Sequence, residues 1–394
     1  MRLFGSARRE TPVDESAVAA SRAADRAEAA FRSAYGTAPA GVWWSPATVP
    51  LLGDHFGGAD ARVLSVALPW GAAAALAPAD GAAVEVRTTR SPARAVRFTA
   101  RRPPRRVPDW AAAVPAVLSA PEHAGNGLRV MLDLGPFDAA PALTAACAVL
   151  LAATELHRGA DAAADRTALA RTARDLLADR IAPDTADAVP DTALRAAADH
   201  AFLLDGGTGR GRSLPLPLGA AGLRLLVVDA ATTLPERLAA DRRAEYARAA
   251  AALGVSSLRE VTDLAEALAA LDDAVLRQRV RHAVTETHRV NAVVGLLHAG
   301  AAEEMGPALS TAHLSLRDAF ATACPRLDTA ADTAVRRGAR GARMAGSGRR
   351  AVALVPAERV DPVGAGIRAA FTARRWPPPL LGVAEPAQGA RRLR

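Results

Sequence analysis

Apolar residues recur at helical spacing from Asp14 to Tyr35, in "DESAVAASRAADRAEAAFRSAY", and the run stops at Gly36. That period predicts an amphipathic opening helix. The pattern then turns extended in "GVWWSPATVPLL", and "RVLSVALPW", "AAAALAP" and "AAVEVRTT" read as separate short strands divided by proline and Gly-Ala turns, which together predict an antiparallel sheet. "DWAAAVPAVLSA" predicts a helix interrupted at Pro115. "LRVMLDLG" predicts a strand, and the turn after it opens a long apolar helix in "PFDAAPALTAACAVLLAATELH".

"ADRTALARTARDLLADRI" predicts a further amphipathic helix, and the text closes on the strand "HAFLLD". "GGTGRGRS", Gly206 to Ser213, has clustered glycines but lacks the Lys and Ser/Thr of a phosphate loop, so it predicts a hairpin. "GLRLLVVDA" is a buried strand of continuous apolar character. Arg237 to Gly300 is mainly helical, and "AVALVPAERV" with "GAGIRAAFTARR" adds a strand and a helix near the end. No internal repeat appears in the sequence.

Composition narrows the class. A chain of 394 residues exceeds one core, since domains average roughly 150 residues. Half of the residues are apolar and 23% charged, a globular balance. All 49 basic residues are arginine, and the net charge is +8. The arginines are scattered among 41 acids with no basic stripe, which argues against a nucleic-acid partner. Cys147 and Cys324 sit far apart in apolar helical text and match no zinc or redox spacing, so they predict buried thiols in a reducing compartment. The text "MRLFGSARRETPVDE" lacks the apolar core of a signal peptide, and no window holds about 18 uninterrupted apolar residues. These features predict a cytoplasmic protein with no membrane span. His282, His288, His298 and His313 fall in helices without carboxylates at ligand spacing, so the sequence implies no metal site formed by these histidines.

"SPATVPLLGDH" running on through "VLSVAL" resembles the first motif of the galactokinases, in the GHMP family of small-molecule kinases. Collinear similarity extends through "FRSAYG", "HAFLLD", "LRLLVVD", "RVRHAVTETHRV", "HLSLRDAFATACPRLD" and "GARMAGSGRRAVALV", over nearly the whole chain. The resemblance implies an α+β, two-domain GHMP kinase fold with mixed and antiparallel sheets flanked by helices. Residues 1–205 would form the N-terminal domain and 206–394 the C-terminal one, with the site in the cleft between them. It also implies ATP and Mg2+ as cofactors and a small-molecule sugar as partner. The family reaction it implies is ATP-dependent phosphorylation of galactose to galactose 1-phosphate.

The motifs depart from the family pattern at several positions. Thr48 stands where the family has a catalytic arginine, Asp54 replaces a sugar-binding glutamate, His55 is kept, and Gly57 replaces a sugar-binding aspartate. Pro50 stands where the family usually has asparagine. Asp54 and His55 are the implied sugar ligands, with a loop acid and a packed or surface histidine as the alternatives. The phosphate loop of the family corresponds to "DLGPFDAAPALTAACAV", where Gly135 remains but Asp138, Ala139 and Ala140 occupy the serine positions. A carboxylate there repels phosphate, whereas at a helix start it caps the N-terminus.

"GARMAGSGRRAVALV" is two residues shorter than the family's third motif; Arg349 and Arg350 are either replacement phosphate contacts or a solvated loop pair. Asp191 matches the catalytic aspartate, or else caps the helix "TALRAAA". The family's sugar-contacting tyrosine appears as Ala239, with Tyr246 one or two turns on. Loss of the arginine and the loop serines together implies a catalytically impaired, galactokinase-like pseudokinase that keeps some ligand binding and could serve a protein partner. The alternative is an active sugar kinase with altered hexose specificity and a rebuilt phosphate site.

Overall fold

Helix α1 (Glu15–Tyr35) leads into strands β1 (Gly41–Leu52), β2 (Arg62–Ala79), β3 (Ala83–Thr88) and β4 (Val96–Thr99). Next come α2 (Val114–Leu118), β5 (Gly127–Leu134), α3 (Pro141–Arg158), α4 (Ala160–Ala164), α5 (Arg166–Leu177) and α6 (Ala188–Arg195). The strands β6 (His200–Asp205), β7 (Arg210–Pro215) and β8 (Leu223–Asp229) precede five helices: α7 (Leu238–Leu253), α8 (Leu264–Ala269), α9 (Ala274–His298), α10 (Gly306–Asp318) and α11 (Pro325–Arg336). The chain ends with β9 (Gly341–Ala345), β10 (Arg350–Pro356), α12 (Val360–Ala373), β11 (Leu380–Ala384) and β12 (Arg391–Arg392). This computed structural model describes residues 15–54, 60–104, 106–120, 123, 125–135, 138, 140–178, 188–232, 235, 237–322, 324–346 and 348–394, without the side chains of 15, 16 and 239.

Two sheets organise these elements. The first runs β12-β1-β2-β5-β3-β4, with the hairpin β6-β7 joined to β2; the second runs β11-β8-β10-β9. Every pairing is antiparallel except β3 with β5. The first sheet is completed by β7 and β12, which follow residue 205 in the chain.

The expected separate strands "RVLSVALPW" and "AAAALAP" are one strand of 18 residues, β2. Its first residues pair β6, Arg62 opposite Asp205, and its last eight pair β5, Ala72 opposite Leu134. Gly71 falls between these two stretches, so the Trp-Gly text marks a change of neighbour and not a turn. The antiparallel register of β1 on β2 shifts after Pro46 and again after Pro50. Proline has no N–H to give to a ladder, which is why such irregularities collect there. The glycine-rich segment forms the expected β6-β7 hairpin.

Helix α3 lies against the first sheet with Thr144 through Thr154 all buried, which accounts for its apolar character all round. Helix α1 covers another set of that sheet's residues, including Val42, Trp44, Ala73 and Met131. A third cluster joins the two sheets: Ala47, Val49 and Leu51 of β1 pack with Val227 of β8, Val352 and Leu354 of β10, and Val293 of α9. This shared core fixes the far end of β1 against the second sheet. The two cysteines are buried, as expected. No described helix is long and apolar enough to cross a membrane.

Candidate functional site

The end of β1 is pinned by a chain of buried charges. Gly53 has φ +80°, and a Cβ on it would lie 1.8 Å from the Arg62 carbonyl oxygen, so only glycine fits this turn. Its N–H donates to Glu286 Oε1 at 2.9 Å. The next residue, Asp54, is buried; its Oδ1 lies 2.6 Å from Arg343 Nη2, and its Oδ2 accepts the Gly346 N–H at 2.5 Å. Arg343, fully buried on β9, also donates from Nη1 to the Leu51 carbonyl at 2.8 Å and lies 3.9 Å from Glu286. Arg289 closes the chain by donating from Nε to Glu286 Oε2 at 2.7 Å. Asp54 therefore ties the first motif directly to the third. His55 and Gly57 lie outside the described residues. Thr48 sits half-buried within β1, opposite Ala67.

Asp191 lies in the first turn of α6, not at its cap. The helix begins earlier than "TALRAAA" suggests, at Ala188, so the side chain of Asp191 leaves the helix flank and meets two guanidiniums. Arg174 Nη1 of α5 donates to Oδ2 at 2.5 Å and Arg195 Nη1 donates to Oδ1 at 2.7 Å. Arg195 is held in turn by the Gly211 carbonyl at 3.0 Å and lies over the Phe202 ring. Asp191 is 0% exposed. Burial pushes its carboxyl above the usual range, against the pull of Arg174 and Arg195.

Between β5 and α3, Gly135 crosses close over Gly71: its N–H donates to the Gly71 carbonyl at 2.9 Å, and a Cβ would lie 2.6 Å from that oxygen. The residue at the N-cap of α3 is Ala140, with Pro141 at the first helical position. Asp138 is thus not the cap residue itself. Its Oδ1 accepts the Ala140 N–H at 2.9 Å, closing the turn just before the helix, while its buried Oδ2 has no hydrogen-bond partner among the described residues. Burial pushes the Asp138 carboxyl up, and the charge of Arg350 opposes the shift. The Cys147 thiol of α3 is pushed up to about 12 by burial, with the charges of Asp191 and Asp138 adding to it. Both carboxylates therefore act on the same stretch of α3.

The third motif turns at Gly346 and Gly348 into β10. Arg349, partly exposed, donates from Nε to Asp229 Oδ2 at 2.8 Å. Arg350 is buried as the first residue of β10, with Nε 4.0 Å from the same carboxylate. Burial pushes the Arg350 guanidinium below its ordinary value, against Asp138 and Asp229. Of the pair, Arg350 is the buried first residue of β10, while Arg349 stands before the strand with 40% of its side chain exposed, and both lie beside the acid at the end of β8. Asp229 also accepts the Ala231 N–H at 2.9 Å.

Asp229, Arg174, Arg195, Glu286 and Arg343 are the partners of the candidate residues that motif reading passes over. Arg343 carried a signal, because it is a charge inside the otherwise apolar strand text "GARMA". The others sit in ordinary amphipathic helices or at a strand end, and nothing local distinguishes them. Together the geometry brings Asp54 to the third-motif turn and sets Asp138 within the field of Arg350. It places Asp191 beside α3 but inside a cage of its own.

A sheet carrying the first motif, a strand-turn-helix beside it and a second sheet closing through a glycine turn define a GHMP-type small-molecule kinase fold. Residues 29–78 match the galactokinase galactose-binding signature, and residues 293–373 match the C-terminal domain of GHMP kinases. The chain is 36% identical to a galactokinase of Streptomyces coelicolor over 380 residues, covering 92% of this chain and 97% of that one. It is 32% identical to a galactokinase of Mycobacterium bovis over 360 residues, 88% and 97% of the two chains. The fold superimposes on the Lactococcus lactis galactokinase complexed with galactose with a TM-score of 0.82 at 20% identity, covering 93% of this chain and 98% of that one. A mevalonate kinase shares the fold at a TM-score of 0.59, covering 87% of this chain and 98% of that one. The chain belongs to the galactokinase family.

Proposed function

We propose that this family member is impaired in phosphoryl transfer and retains its scaffold for binding. The family reaction moves the γ-phosphoryl of ATP to galactose; here the carboxylate aligned with the base has both oxygens occupied. Asp191, with no exposed surface and a guanidinium on each oxygen, carries this reading: a general base must reach the proton it removes. The start of α3 supports it, since a phosphate arriving there would meet the Asp138 carboxylate and a proline without an N–H in place of donors. Arg349 and Arg350 are drawn to Asp229, so a phosphate would have to compete for them. The residues present thus fit the triphosphate of ATP and its Mg2+ poorly.

On this reading the units 1–205 and 206–394, with β7 and β12 of the second returning to the first sheet, hold a cleft at the junction of the motifs, the protein is cytoplasmic, and a sugar or a protein partner is its ligand. A coupled assay of ADP release with galactose and Mg-ATP tests the proposal. No galactose-dependent release is expected. Ready turnover with any hexose would overturn it and favour an active sugar kinase with a phosphate site rebuilt on Arg349 and Arg350.

A further inference from the structure

Strand β4 ends the first sheet beyond β3, and the text around it is unbalanced in charge. From Gly81 to Pro108 the sequence holds eight arginines and one acid, Glu85, an excess of seven in a chain whose whole excess is eight. Over the rest of the chain arginines and acids nearly cancel, so the overall scatter of charge conceals this segment.

The fold gathers these charges on the outside. Val84, Val86 and Phe98 turn to the core shared with α3, so alternation along β3 and β4 sends Glu85, Arg87 and Arg97 to the opposite face. Register sets Arg129 of β5, Glu85 of β3 and Arg97 of β4 side by side across three strands. Glu85 is the one acid in that row, and it accepts from Arg87 Nε and Arg97 Nε, both at 2.6 Å. Arg97 still keeps 69% of its side chain exposed. Around the two ends of β4, Arg90, Arg94, Arg101, Arg102 and Arg106 are exposed as well. Of these, Arg94, Arg101, Arg102 and Arg106 form no ion pair among the described residues. Asp80 and Asp109 flank the segment, one beyond each end, and leave the excess standing. Guanidiniums collected on one surface repel each other, and an acidic partner relieves that repulsion.

What the surface lacks narrows the partner. Tyr35 is the ring beside the row, and the guanidiniums of Arg87 and Arg129 lie 5.6 and 5.5 Å from its centroid, so cations already occupy it. Phe98 is buried. A single-stranded nucleic acid needs open rings on which its bases stack. An extended protein segment needs only carboxylates to meet the guanidiniums and, beside an end strand, a backbone edge. Outside the sheet's own ladder, the one backbone bond that reaches β4 among the described residues is from the Arg102 N–H to the Thr99 carbonyl, at 2.9 Å. The edge from Val96 to Phe98 is left open.

We propose that the outer face of β3 and β4, with the loops at both ends of β4, docks an extended acidic segment of a partner protein. An active kinase would carry the same surface, because none of Asp54, Asp138, Asp191, Arg349 or Arg350 belongs to it.

Fluorescence anisotropy of the full chain with a labelled oligoglutamate of about twelve residues, which reaches about 40 Å when extended, tests it. A Kd below about 50 µM is expected at about 50 mM salt, weakening at least about tenfold by about 300 mM because exposed charges are screened. Arg94→Glu, Arg101→Glu, Arg102→Glu and Arg106→Glu together should lower the affinity at least about tenfold. The same reversal at Arg171, Arg212, Arg281 and Arg368, exposed arginines on α5, β7, α9 and α12, changes the net charge equally and should leave the affinity within about threefold. No binding at about 1 mM, an affinity indifferent to salt, a first variant that binds as the parent does or equal losses in both variants would overturn the proposal. So would tighter binding of a single-stranded RNA or a duplex DNA of matching length, which would assign the surface to phosphates. ADP release by the protein would bear only on the preceding proposal.

Discussion

Arg343 and Asp54 form an ion pair of 2.6 Å in which neither side chain is more than 3% exposed, joining β9 of the second sheet to the end of β1. Taking two charges out of water is costly, and the pair persists because the Leu51 carbonyl and the Gly346 N–H complete it. Sequence similarity alone offers Asp54 as a sugar ligand. The structure gives it a partner from within the chain.

Removing one member of that pair leaves the other buried without its counter-charge. Arg343→Met is expected to lower the unfolding free energy by about 3–5 kcal/mol in urea denaturation. The double variant Arg343→Met with Asp54→Asn should recover part of that loss, because Asp54 is then no longer a buried charge without its partner. Equal loss in single and double variants would show that the pair contributes no coupling.

Asp138 sets a pH dependence with a defined sign. Its folded carboxyl is raised by burial, so the native state holds a proton that the unfolded chain releases once pH passes the ordinary aspartate range near about 3.9. Whatever this group contributes is present below that range and is lost as pH rises toward the folded pKa. Asp138→Asn keeps an acceptor for the Ala140 N–H and removes the charge. The variant should therefore melt higher than the parent at pH 7, with the difference shrinking toward pH 4 in calorimetry.

Millimolar Mg-ATP should barely move the melting temperature. A ligand at 100 times its dissociation constant adds about 2.7 kcal/mol, which would appear as a shift of several degrees. A clear shift that vanishes in Arg349→Ala with Arg350→Ala would instead locate a phosphate site at the third-motif turn.

Restoring the missing cation alone should not restore turnover. Thr48→Arg returns a positive charge to β1, yet Asp191 stays locked between Arg174 and Arg195, and Asp138 still stands at the start of α3. Galactose-dependent ADP release should match the parent within error. A rise of tenfold or more would mean that Asp191 is not the obstacle.

Much of this protein is legible in its residue order. Periodicity marks the opening helix, continuous apolar text marks α3 and the buried strand "LRLLVVD", and clustered glycines mark the β6-β7 hairpin, because an element's own side chains decide which face it must bury. The motif text likewise leads to the galactokinase family, since the backbone path around each motif depends on a few glycines and prolines close in sequence. Only the tertiary structure decided the partners. Whether "RVLSVALPW" and "AAAALAP" form one strand or two depended on β6 and β5 arriving side by side along the same edge of β2. Asp191 has its fate set by Arg174 on another helix, Asp54 by Arg343 on another sheet, and Arg349 and Arg350 by Asp229. A charge is a local fact of sequence, but its neutralisation is a matter of distance in space, and the fold brings those arginines to those acids.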